Sequence, residues 1–286
     1  MLPSLSVRIA EGFLSKEESL IDLDRLAGFA RDAGFGALCL RASQVGVHST
    51  PECIRAAAAT LARHRLVASM VTGDFAIVYN DDRGPEVLRR ISAYLDLAQT
   101  LGAPLIRVAL RNADDIPRAR LAADAARERG LRLVHQCHIQ SLFETVDGIE
   151  STLRAIGRDN FGLIYEAANL ELCGQDFGLT TVRRLAPWIF NVYLQNQRIH
   201  PGGAVTLETW CRGPVRFDLL APAAPGGIDF SRVFDALAAI GYDGPVTSHQ
   251  SAPADGRIDV AARQTAGFLS RWVPLAIPQT NEPGQP

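Results

Sequence analysis

Short apolar runs alternate with longer stretches of helical period, and the alternation repeats eight times along the chain. Strand-type runs fall at 6–10, 37–41, 67–72, 105–110, 132–138, 162–166, 191–195 and 245–249. Each is followed by a helical pattern, at 20–33, 51–64, 85–101, 115–129, 142–156, 181–185, 230–240 and 258–272. In 20–33, Leu23, Leu26, Ala27 and Ala30 share one stripe while Asp22, Arg25 and Asp32 lie elsewhere, the spacing of an amphipathic helix. Gly34, Gly102, Gly130, Gly157 and Gly241 each stand just past a helical run, where a left-handed C-cap is wanted. Several strand runs open apolar (Leu105-Ile106, Val192, Val246) rather than strictly alternating, as strands covered on both faces by crossover helices do. Eight such units predict an α/β fold of the (β/α)8 TIM-barrel type, a single domain over 1–275. Residues 276–286, rich in Pro and Gly, are expected to form a poorly ordered tail.

Composition narrows the function. Hydrophobic residues make up 47% and charged residues 21%, enough for a large core and unlike a disordered chain. A net charge of −2 argues against nucleic acid as a partner, and no apolar run reaches the length of a membrane span. No secretory leader is visible at the N-terminus. Cys39, Cys53, Cys137, Cys173 and Cys211 are scattered without a CxxC pair, which predicts reduced thiols and a cytoplasmic location. Lys16 is the sole lysine beside 28 arginines, so Schiff-base or pyridoxal chemistry would rest on that one residue and is set aside. The first strand is not followed by a Gly-rich dinucleotide fingerprint.

A barrel builds its active site at the C-terminal ends of its strands, and here those ends turn polar. Arg41 closes the second strand; Arg107 and Arg111 stand at the fourth; Gln136 and His138 share a face at the fifth. Glu166 ends the sixth, with Asn169 after it. Tyr193, Gln195 and Gln197 share a face at the seventh with Asn196 between, and His249 ends the eighth. Each has a bland alternative: a satisfied core amide for Gln197, an ion pair with Arg107 or Arg111 for Glu166, a helix cap for His138 ahead of the capping-box pattern Ser141-Leu142-Phe143-Glu144. Convergence on one rim is what points to a site. Segment 196–227, rich in Gly and Pro and carrying Trp210, reads as a long loop, of which 199–225 is expected to close over the cavity and order on ligand binding.

The segments Gly226-Gly227-Ile228-Asp229-Phe230 through Gly241-Tyr242-Asp243-Gly244, and Gly130 through Thr145, resemble those of the sugar phosphate isomerase/epimerase superfamily, the xylose-isomerase-like TIM barrels. That superfamily includes keto-sugar 3-epimerases, inosose dehydratases and endonuclease-IV-like enzymes. The resemblance implies one divalent metal ion (Mn, Mg, Zn or Fe), which members hold with Glu, Asp, His and Glu on strands five to eight. Residue by residue, the strand-five Glu of an E-x-H pattern falls on Gln136 with His138 matching, the Asp on Glu166, the His on Tyr193 or Gln195, and the last Glu on His249. Asn169 stands where many members have a histidine. The implied metal set is therefore Gln136, Glu166, Gln195 and His249, with one carboxylate instead of three. Gln136 accepts no proton, which counts against two-base epimerisation, while a one-base isomerisation or elimination of water survives.

The resulting expectation is a metal-assisted isomerase, epimerase or related lyase acting on a small sugar, keto-sugar or polyol through proton abstraction next to a carbonyl. His249 and Glu166 are the expected catalytic pair, near neutral pH the best placed to change protonation together with His138. Arg41, Arg107, Arg111, His138, Asn169, Tyr193, Asn196 and Trp210 are the expected substrate-binding residues, the arginines for a carboxylate or phosphate. The Gly226-Gly227 turn offers a second candidate phosphate site, with Asp229 as an ordinary N-cap the alternative. A sugar-binding or regulatory barrel that has lost its chemistry is the competing class. An endonuclease-like reading needs a three-zinc cluster and a basic face, which six histidines and a net charge of −2 do not favour. A homo-oligomer is left open.

Overall fold

Residues 1–12 and 15–275 are described in the computed structural model of the chain; the expectation for the 276–286 tail lies outside them. Seven parallel strands come first: β1 (Leu2–Ser6), β2 (Ala37–Arg41), β3 (Val67–Thr72), β4 (Leu105–Val108), β5 (Arg132–Gln136), β6 (Phe161–Glu166) and β7 (Ile189–Leu194). An insert of three strands follows, β8 (Asn196–Ile199), β9 (Val205–Thr209) and β10 (Gly213–Leu220), before β11 (Pro245–Ser248) completes the barrel. Closure runs through β1, which pairs with β2 (Ser4 opposite Ala37) and with β11 (Leu2 opposite Pro245). Helices such as Leu23–Asp32, Pro51–Arg63, Val146–Ile156 and Phe230–Ala239 surround it, and the five C-capping glycines all have positive φ, from 60° to 93°. This is the (β/α)8 architecture expected.

Inside the barrel, Cys39, Met70, Leu105, Val134, Ile164 and Tyr193 form one buried apolar layer. Side chains two residues apart on a strand share a face, so the next inward position up from each is Arg41, Thr72, Arg107, Gln136, Glu166 and Gln195. The polar mouth is thus the layer directly above an apolar floor. That registry is what gathers residues from six strands.

Three expectations are corrected. The first strand is Leu2–Ser6, not 6–10: Val7–Ala10 is a 3-10 turn whose start is capped by Ser6 Oγ accepting from Arg8 N at 3.3 Å. Alternating Leu5, Val7 and Ile9 imitate a strand, but all are buried beneath helices. The shift carries Arg8 out of the wall and into the mouth. Segment 196–227 is not an irregular loop: β8, β10 and β9 form an antiparallel sheet, with Phe217 opposite both Ile199 and Val205. Its alternating apolar residues Val205, Leu207, Val215, Phe217 and Leu219 pack against Ile139, Leu172 and Cys173 on the barrel. The helix read from Leu142 begins instead at Val146 with Thr145 as N-cap. Glu144 accepts from Gln140 N, Trp210 N and Cys211 N, and so ties the insert to the turn after β5. All five cysteines are free thiols.

Candidate active site at the barrel mouth

A cavity of about 340 Å³ opens at the C-terminal ends of the strands, at the lower end of the size range of small-molecule sites. Arg41, Arg107, Gln136, His138, Glu166, Asn169, Gln195 and His249 all line it, as expected; so do Arg8, Lys16 and Asn80, which were not expected. Thr206, Leu207 and Phe217 of the insert sheet form part of its wall.

On the β1–β2 side, Arg41 lies side-on against Glu11, with Nε to Oε1 at 3.0 Å and Nη2 to Oε2 at 2.9 Å, and Ser43 Oγ also donates to Glu11. Both side chains are excluded from solvent. Next to them His249 stacks on Tyr193 with ring centroids 4.0 Å apart. Its Nδ1 lies 3.1 Å from Ser6 Oγ and its Nε2 3.5 Å from Arg41 Nη1. Burial first, then Arg8 and Arg41, hold its pKa well below the usual imidazole value. His249 is a neutral ring with Ser6 Oγ at one nitrogen and a cation facing the other.

On the β4–β6 side no ion pair forms among the described residues. Glu166 Oε2 accepts from Gln136 Nε2 and from Asn169 Nδ2 (2.6 Å), while Oε1 accepts no hydrogen bond among the described residues. Burial raises the Glu166 pKa, against the opposing pull of those amides, Arg8 and Arg107. The ion pair of Glu166 with Arg107 or Arg111, the structural alternative to a functional role, is absent among the described residues. Arg107 is 2% exposed, and its guanidinium makes neither a hydrogen bond nor an ion pair among them; Nε is buried without a partner, as is Gln136 Oε1. Arg8 reaches in from the turn after β1, with Nη1 donating to Gln195 Oε1 (2.6 Å) and to His249 O (3.1 Å), both neutral acceptors. Burial, then Arg41, bring its pKa down to about 10. Lys16 is brought to about 7 by burial and by Arg8, Arg41 and Arg107. His138 is held at about 3, mainly by burial, with Nδ1 close to Asn80 Nδ2 and Ile139 O, both at 2.9 Å.

Four expected substrate-binding residues stand outside the cavity lining. Tyr193 lies in the floor, its hydroxyl 3.4 Å from Cys39 Sγ. Asn196 donates to Ala221 O (2.9 Å) and Ala224 O (3.0 Å) and accepts from Ile228 N, so it pins the loop before the Phe230–Ala239 helix. Arg111 pairs with Asp82 at 2.7 Å and lies over the ring of Trp210, which is 57% exposed. Gln197 donates to Ala168 O at 2.7 Å, while its Oε1 is buried without a partner. At the Gly226-Gly227 turn, Asp229 caps the helix by accepting from Arg232 N, and a Cβ on Gly227 would meet Asn196 Oδ1 at 2.0 Å. That turn is packed rather than open to a phosphate.

The donor set does not suit a divalent cation. Of its four members, Gln195 already accepts from a guanidinium and the Nε2 of His249 faces the Arg41 guanidinium at 3.5 Å, so Glu166 and the orphaned Gln136 Oε1 are the donors no cation occupies. An ion bound there would face Arg8, Arg107 and Lys16, three like charges against one unpaired carboxylate.

The profile of the family described as xylose isomerase-like TIM barrel matches residues 27–271. An inosose dehydratase of Geobacillus thermodenitrificans is 28% identical over 122 residues; the match spans 42% of this chain and 41% of that relative. Among solved structures, the probable 3-DHS dehydratase AsbF from Bacillus anthracis superposes with a TM-score of 0.71 at 14% identity, covering 94% of this chain and 99% of its own. The IolI protein, with a bound zinc atom, gives 0.70 at 15%, covering 96% and 100%. Among the described residues no helix is long and apolar enough to cross a membrane.

Proposed function

The chain belongs to the xylose isomerase-like TIM barrel family, and from that premise we propose that it is an enzyme of one-base proton transfer, an isomerase or dehydratase acting on a small polyhydroxy carbonyl compound. The observation that carries this is Glu166: a buried carboxylate, held by two amides on one oxygen, with the other free in the cavity and no cation in contact. Its raised pKa makes it a stronger base than a solvated glutamate. Glu166 Oε1 takes the proton from the carbon beside the substrate carbonyl. Arg8, oriented by Gln195 and His249 O, offers a charge-assisted hydrogen bond to the oxygen on which negative charge develops. His249 serves this scheme as a neutral spacer that positions Arg8 and Arg41, rather than as the proton acceptor first expected of it.

A divalent ion on Gln136 and Glu166 is the second reading; the orphaned Gln136 Oε1 favours it and the surrounding cations oppose it. Metal analysis of chelator-free protein decides between the two, with less than stoichiometric metal the expected result. The main test is deuterium exchange. A panel of ketoses, aldoses and keto-inositols incubated with the protein in D2O is followed by proton NMR. Exchange next to the carbonyl, lost in Glu166→Gln, is expected; no exchange with any member would favour the non-catalytic sugar-binding barrel.

A further inference from the structure

The charges of the mouth do not balance. Arg8, Lys16, Arg41 and Arg107 line the cavity, against the carboxylates of Glu166 within it and Glu208 on the exposed rim, with Glu11 buried behind Arg41. Glu11 is taken up by Arg41 and Ser43, and Glu166, held on one oxygen by Gln136 and Asn169, pairs with none of these cations among the described residues. Arg8 rests on neutral acceptors, and the Lys16 ammonium lies over the Tyr79 ring, 5.4 Å from its centroid, with no carboxylate paired to it among the described residues. Arg107 is the extreme case: the residue is 2% exposed, Nε is buried without a partner, and the guanidinium makes no hydrogen bond or ion pair among the described residues. A guanidinium so far shielded from water with no acceptor is costly, and a fold keeps one where something else supplies the acceptor. Structural ion pairs were available to this sequence, as Arg41 and Glu11 show, and this position does not have one.

We infer that the substrate carries an oxyanion of its own, a carboxylate or a phosphate ester, and that Arg107 is its receptor, assisted by Lys16. The inference rests on the reading that the mouth is the reaction site, and narrows its substrate from polyhydroxy carbonyl compounds at large to sugar or polyol acids and phosphates. Arg107 suits the part because its planar fork presents two parallel N–H donors to a carboxylate or phosphate edge. Lys16 lies on the chain after β1, so its ammonium and Arg107 approach a bound anion from different walls of the cavity. Arg8 is left for the reacting carbonyl.

The test is calorimetric titration of the full-length protein with D-gluconate, with inorganic phosphate and with uncharged D-sorbitol at low ionic strength. Binding of gluconate or phosphate that weakens with added sodium chloride, and at least about tenfold weaker binding of sorbitol, is expected. The relative affinity for gluconate and phosphate assigns the oxyanion. Arg107→Met is expected to weaken anion binding about 10-fold or more, the loss of a charge-assisted contact, with Arg107→Lys intermediate. Glu166→Gln, by removing the nearby negative charge, is expected to tighten it, a gain that misfolding cannot imitate. Sorbitol binding as well as gluconate, or unchanged anion affinity in Arg107→Met, overturns the inference. If Arg107→Met does not fold, unchanged affinity in both Glu166→Gln and Lys16→Met does so. Anion binding without proton exchange on any carbonyl compound would sink the proposed reaction and leave the oxyanion site standing. Exchange on neutral ketoses without anion discrimination would do the reverse.

Discussion

The two sides of the barrel mouth use the same ingredients to opposite ends. Between β1 and β2, an arginine and a glutamate meet side-on, a serine completes the carboxylate, and the charges cancel. Between β4 and β6, an arginine and a glutamate are both buried in the same cavity and do not touch; the glutamate takes amides and the arginine takes nothing. Burial is equal on the two sides, so solvent exclusion does not distinguish structure from function here. Partnering does. A charge neutralised by its neighbour holds the wall together, and a charge left without one remains available to a ligand.

The sharpest way to break this comparison is to neutralise each glutamate in turn. Glu166→Gln should lower turnover on any substrate found by about 10²–10⁴-fold, the usual contribution of a general base, with no fall in the urea unfolding midpoint at neutral pH. Glu11→Gln should do the opposite, costing about 3–5 kcal/mol of stability because Arg41 is left as an uncompensated buried charge. If both variants lose stability alike, the two sides are equally structural and the site assignment falls.

Acid sharpens it further. A base must be ionised, so the acidic limb of the rate profile should lie above the usual glutamate value, where burial has moved Glu166. The sign for stability is reversed from that of an ion-paired carboxylate. With its folded pKa raised, Glu166 binds its proton more readily in the folded state than in the unfolded one, so its ionisation opposes folding at neutral pH. That opposition is relieved as pH falls through the folded pKa. Comparing wild type with Glu166→Gln from pH 7 to 4 by urea unfolding should show the wild type gaining relative to the variant; a relative loss would contradict the desolvated carboxylate.

The sequence carried the barrel because two periodicities and a set of glycines agree: apolar runs for strands, 3.6-residue stripes for helices, and positive-φ caps at Gly34, Gly102, Gly130, Gly157 and Gly241. It carried most of the rim by the same logic, since a polar residue two beyond a buried apolar one, as Arg107 is beyond Leu105, must point into the mouth. What it concealed was everything contributed by the chain after β1. Placing the first strand four residues late put Arg8 in the wall, and Glu11 and Lys16 sit in irregular chain that no period marks. The insert sheet was visible in principle, in the alternation of Val205 with Leu207 and of Val215, Phe217 and Leu219, but Gly and Pro between the strands masked it. His249 shows a different limit: sequence gives the identity of a titratable group and not its surroundings, and here burial, then Arg8 and Arg41, hold the ring neutral.

The smallest expected effect belongs to Lys16, and it tests whether the unpaired side of the mouth extends to the only lysine. Burial, then Arg8, Arg41 and Arg107, lower its pKa to about 7, with Glu11 pulling the other way and the Tyr79 ring beneath it. Below pH 7 it is an ammonium and adds to the attraction for an oxyanion; above pH 7 it is a neutral amine and adds none. Gluconate affinity should therefore fall as pH rises from 6 to 8.5, and Lys16→Met should weaken binding at pH 6 by about two- to fivefold, the worth of a partly exposed ion pair. At pH 8.5 the variant and the wild type should converge. Gluconate is the proper probe because its carboxylate stays ionised across this range, whereas phosphate titrates near 7 and would confound the comparison. A pH-independent gap between the two proteins would mean that Lys16 acts through its aliphatic chain alone, and that the anion is held by Arg107 without it.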